Sequence, residues 1–208
     1  MSRIDGTPAS LPNPVIKDMY LEINSIAQGV NVGVLVLVAS DSDNIFTANY
    51  FSLPVFALTN LLISITFWAR YYFDTTILHR SYTPMSVLWF FAYILSQGVS
   101  ISSIGKPVAW LVSTGVFLFF GFGFYVLNLL EIRRKQVAAE LPVAYLIWQK
   151  RRMVELLLLS TTSFVGAYFV FQYPALALPV GLVAMLAAVW QFALTNGYRT
   201  RRFIDTGV

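Results

Sequence analysis

The stretch PVAWLVSTGVFLFFGFGFYVLNLL, Pro107 to Leu130, decides the fold. It holds no charged residue, and it is longer than the ~20 apolar residues that a helix rising 1.5 Å per residue needs to cross a ~30 Å hydrocarbon layer. Nothing in a soluble domain of this size requires such a segment. Working outward, five more stretches have the same character: Ile23 to Ala39, Tyr50 to Ala69, Met85 to Gly105, Val154 to Gln172 and Pro174 to Asn196. The first is the shortest and most polar, and it needs neighbouring helices or tilt to sit in a bilayer. The expected fold is therefore an all-α integral membrane protein of six transmembrane helices.

Composition agrees. Hydrophobic residues are 57% of the 208 and charged residues 12%, against roughly half and a quarter in soluble domains. The expected organisation is a lead-in over 1–22, a six-helix domain over 23–198 and a basic tail over 199–208. Pro8, Pro12 and Pro14 mark the lead-in as extended, with residues 15–22 able to begin a helix along the membrane surface. Because the first apolar stretch begins only near Ile23 and ends in Ala39-Ser40-Asp41-Ser42, with no small-x-small cleavage pattern, it reads as a retained helix. No repeat marks two related halves.

Orientation follows from the basic residues, because Lys and Arg in short loops resist translocation. Arg3 and Lys17 precede the first stretch; Arg70 and Arg80 fall between the second and third; Arg133 to Lys135 and Lys150 to Arg152 fall between the fourth and fifth; Arg199, Arg201 and Arg202 follow the sixth. All but Lys106 of the 14 basic residues thus share one side, which places both termini in the cytoplasm and the chain as a multi-pass protein of the cell (inner) membrane. The net charge of +4 flanks the apolar segments, so it argues for the lipid bilayer as partner and against nucleic acid. The two basic triplets suit anionic lipid, although topology alone accounts for them.

Several chemistries find no residues. Cysteine is absent, which removes disulfides, thiolate metal sites and cysteine nucleophiles. The single histidine, His79, has no His or Cys partner for a zinc or haem site. Gly121-x-Gly123 lies in mid-membrane and reads as close helix packing, not as a phosphate loop. All ten acidic residues fall outside the apolar stretches or at their ends, so an interior free of ionisable groups is expected, unlike a proton-coupled carrier or pump. No cofactor and no enzymatic activity are expected.

The first stretch carries the candidate site. Asn24, Gln28 and Asn31 recur at spacings of four and three, so the three amides share one helix face, which Leu35 and Val38 continue. Amides facing lipid would stay unsatisfied at several kcal/mol, so the stripe must meet water or protein. In a pore, all five residues would line the path, the amides replacing part of an ion's hydration while Leu35 and Val38 form an apolar gate that closes by dewetting. The alternative is polar glue between helices. Gly29 and Gly33, on a neighbouring face, admit close helix approach. Ser96, Ser100 and Ser103, with Gln97 beside them, form a weaker stripe on the third helix, read as packing.

In order along the chain stand Leu21-Glu22 leading into Gly29-Val30, then Phe67-Trp68 followed by Tyr71 and Tyr72, then Ser86-Val87-Leu88-Trp89, then Tyr173-Pro174-Ala175, then Trp190 and the basic tail. This collinear set, spanning residues 20–203, resembles the six-helix potassium channel family of bacteria and animal lysosomes, whose first helix lines the pore. The resemblance implies a homotetramer passing monovalent cations, potassium foremost, with Leu35 and Val38 as the gate. The family's Arg-Phe-Ser-Asp run is missing: with Gly29-Val30 aligned, Ser25 stands in place of the Arg and Gln28 in place of the Asp. The expected function is thus an oligomeric cation channel around helix 1, against a non-conducting membrane subunit that scaffolds or anchors a partner protein.

Overall fold

The computed structural model describes residues 14–40, 52–77, 84–134 and 143–206. Six α-helices account for nearly all of them: α1 (Pro14–Ser40), α2 (Ser52–Ile77), α3 (Pro84–Ser102), α4 (Pro107–Arg134), α5 (Val143–Gln172) and α6 (Ala177–Thr206). Among the described residues there is no strand. Two helix junctions show how the sequence directs the chain. After α3, backbone N–H groups of Ile104 and Lys106 donate to the carbonyls of Ile101 and Ser103, and Pro107 then opens α4, where its missing N–H costs nothing. After α5, Pro174 cannot continue the helix, and a 3₁₀ turn over Pro174–Leu176 carries the chain into α6.

Four helices are long and apolar enough to cross a membrane, over Leu53–Tyr72, Pro107–Arg133, Tyr145–Gln172 and Pro174–Thr195. The apolar parts of α1 and α3, Leu21–Leu37 and Val87–Ser102, are shorter. The outside of the bundle is oily: Leu88, Leu95, Leu158, Phe171, Val183 and Leu186 are all more than half exposed. Its inside holds Asn24, Asn60, Gln97, Gln149, Arg70 and Asp74, all buried. Apolar-out and polar-in inverts the arrangement of a water-soluble protein and marks the chain as a membrane protein.

α4 is the central helix, with 56% of its span buried against 11% for α6. It packs on α5 and α3, α6 packs on α2, and α1 lies against α2 and α3. One apolar cluster joins Leu35, Phe56, Ile101, Trp110 and Val170 at the end where α1 finishes, with the Phe56 and Trp110 rings stacked 4.3 Å apart. A second joins Tyr93, Phe117, Tyr125, Trp148 and Leu156 at the other end. α5 and α6 touch little beyond their connecting turn, which leaves a cleft between them.

The connection between the fourth and fifth apolar stretches is shorter than the gap between them. α4 continues to Arg134 and α5 already begins at Val143, so Lys150, Arg151 and Arg152 are helical residues. Residues 15–22 of the lead-in are helical, since α1 begins at Pro14. Asp41, Asp43, His79 and Arg80 lie outside the described residues.

Candidate functional site

α1 has two faces of opposite character. Asn24, Gln28, Asn31 and Leu35 are all buried, about a hundred degrees per residue having brought them onto one stripe. In the single chain that stripe lies against α2 and α3. Gln28 Nε2 donates to Gln97 Oε1 and Gln97 Nε2 donates back to Gln28 Oε1, each at 2.9 Å. Gln97 Nε2 also donates to Ser64 Oγ at 2.7 Å. Farther along, the Ser100 hydroxyl meets Asn60 Oδ1 at 3.3 Å and Thr114 Oγ1 at 2.7 Å. Asn31 packs against Gly98, where a Cβ would lie 3.7 Å from Asn31 Oδ1. These groups form a polar seam through α1, α2, α3 and α4. Val38 belongs to α1, but its side chain lies outside the described residues.

Half a turn away, Ile26, Gly29, Val30, Gly33 and Val36 are exposed. A Cβ added at Gly29 or Gly33 would meet nothing within 4 Å. Ser25, on the same face, takes the Trp68 indole N–H at 3.4 Å and donates to the Leu21 carbonyl. Above Ser25 the uncovered face is glycine and aliphatic only.

Sequence reasoning missed a second polar group, at the opposite end of the bundle from the Phe56 and Trp110 stack. Arg70, Asp74 and Arg152, which read as charges near the ends of apolar stretches, are buried among the helices, each 2% exposed. Arg70 Nε donates to Thr195 Oγ1 at 2.8 Å, and its Nη2 reaches the Gln191 side-chain and backbone oxygens. Arg152 Nη1 donates to the same Gln191 Oε1 at 2.8 Å and pairs with Glu155. Gln191 Nε2 in turn donates to Glu155 Oε2 at 3.0 Å. Asp74 Oδ1 accepts from the Tyr145 hydroxyl at 2.8 Å and from Gln149 Nε2 at 2.7 Å. Burying such charges is tolerable only because each finds partners.

The sequence did carry a signal for this group. Tyr145, Gln149 and Arg152 recur at spacings of four and three, and Arg70 with Asp74 and Gln191 with Thr195 are four apart, the same pattern that drew attention to α1. Their position near apolar boundaries made them read as loop charges. Buried donors without a hydrogen-bond partner among the described residues include Asn31 Nδ2, Trp110 Nε1 and Asn128 Nδ2. Among those residues no cluster of His, Cys, Asp and Glu could hold a metal ion.

Compared with protein-family models, curated proteins and solved structures, the chain matches none. The likeness to the potassium channel family therefore rests on the residues quoted above.

Proposed function

We propose that the chain is one subunit of an oligomeric, channel-like membrane protein that passes monovalent cations, potassium foremost, along an axis formed by α1 of neighbouring copies. The assembly is a homotetramer of six-span subunits, with both termini on the cytoplasmic side of the cell membrane. The observation that carries this reading is the division of α1. Its amide face is held by α2 and α3, while Gly29, Gly33 and Val36 stay uncovered. Small residues spaced by four are what close helix approach in a bilayer uses.

The division favours a lining different from the amide stripe with its Leu35 and Val38 gate. Lining falls to the Ser25, Gly29, Gly33 and Val36 face, whose aliphatic upper part gates by dewetting. Asn24, Gln28, Asn31 and Leu35 stiffen the wall from behind. Because the chain has no cysteine, single cysteines report directly. Gly33→Cys and Val36→Cys are expected to cross-link between subunits and to make flux sensitive to thiol reagents, while Asn31→Cys stays inert. Reagent sensitivity at Asn31→Cys with none at Gly33→Cys would return the pore to the amide face.

One observation favours a second reading, a non-conducting subunit that anchors a partner protein. The amides of α1 are spent on Gln97 and its neighbours, leaving no polar side chain on the uncovered face above Ser25. That reading expects no flux from the purified protein and loss of stability without its partner.

A further inference from the structure

The cleft between α5 and α6 leads to a cavity of ≈ 280 Å³ that also touches α2 and α4. Its lining runs along α2 from Thr59 to Arg70 and along α6 from Val180 to Gln191, in each case a length of roughly 16 Å at 1.5 Å per residue. Such a volume spread over such a length makes a narrow slot parallel to the helices. Leu111, Leu159 and Ala184 give it apolar walls, and Arg70 and Gln191 close one end.

Arg70 is 2% exposed, and its Nε and Nη2 are committed to Thr195 and Gln191. Its Nη1 makes no hydrogen bond among the described residues. The nearby carboxylates are already engaged: Glu155 by Arg151, Arg152 and Gln191, and Asp74 by Tyr145 and Gln149. Arg70 also lies two residues from the end of its apolar span, Leu53–Tyr72, the depth at which an amphiphile's head meets water.

The geometry points to a binding site for a long-chain fatty acid, its carboxylate on the free Arg70 donor and its chain in the slot, entering from the bilayer between α5 and α6. A guanidinium is suited to a planar carboxylate. A two-chain phospholipid does not fit a slot of this volume, and a neutral amphiphile can accept a hydrogen bond from the arginine but leaves its charge unpaired. This site is independent of the proposed α1 axis.

The test uses the full chain in nanodiscs and a photoreactive diazirine analogue of palmitate. Saturable labelling is expected on the α5 and α6 segments facing the slot. Ala184→Phe, which fills the slot, should weaken it by roughly tenfold or more, about 1.4 kcal/mol. Ala187→Leu, a smaller plug, repeats the test if the first variant does not fold. Unlabelled palmitate should compete at least roughly tenfold better than hexadecanol, and Arg70→Gln should abolish that difference. Labelling unchanged in the filled variants, equal competition by hexadecanol, or displacement by phosphatidylglycerol but not by palmitate would overturn the assignment.

Discussion

Gln28 on α1 and Gln97 on α3 exchange two amide hydrogen bonds, each 2.9 Å long, inside the bundle. Each side chain satisfies the donor and the acceptor of the other, and Gln97 spares a second proton for Ser64. Replacing one partner leaves the other amide buried without its match. Gln97→Leu is expected to lower stability in detergent by about 1–2 kcal/mol, read as a shift of the unfolding midpoint. The double variant Gln28→Leu, Gln97→Leu should recover part of that loss, giving a coupling of roughly 1 kcal/mol. Additive losses would mean that the pair is not a unit.

Glycines on the two sides of the chain should respond in opposite ways. A Cβ at Gly123 would run into the indole of Trp89, which is fixed by its N–H donating to the Phe120 carbonyl at 2.7 Å. Gly123→Ala should cost about 1–3 kcal/mol by overpacking. Within one subunit Gly29→Ala meets open space, so in chains dispersed as monomers the helix propensity of alanine makes it neutral or stabilising by up to about 1 kcal/mol, whereas in the assembly it crowds the α1 axis. Thermal unfolding of the two variants in the same detergent decides the matter.

Gln191 holds two arginines and one carboxylate with a single amide. Gln191→Leu keeps the size and removes every one of those contacts, leaving Arg70 and Arg152 sharing a buried site without it. A loss of about 3 kcal/mol is expected. Gln191→Glu should be milder, since an acceptor remains for both guanidinium groups. A variant as stable as the parent would show that this cluster does not hold α2, α5 and α6 together.

The helices were legible in the sequence because uninterrupted apolar runs such as Pro107 to Leu130 have few alternatives to a helix. The face of α1 that carries Asn24, Gln28, Asn31 and Leu35 was legible too, since spacing fixes which residues share a face. Spacing does not say what lies opposite that face. The partner of Gln28 sits on α3, and only tertiary packing brings Gln97 to it. Arg70 and Arg152 were hidden for a different reason. Basic residues near a span boundary satisfy a topology rule whether they face water or a neighbouring helix, and the amide of Gln191 that binds them is far away in the chain.

The α1 axis is tested most directly by potassium flux from liposomes holding the purified chain, comparing the parent with Val36→Asn and Leu35→Asn, each confirmed as folded and inserted. Flux is expected from the parent, increased by Val36→Asn because a polar ring on the uncovered face holds water at the constriction. Leu35→Asn, buried in the core behind that face, should lower stability without the same gain. Silence from the parent and from Val36→Asn alike would contradict the channel and leave the partner-anchoring subunit.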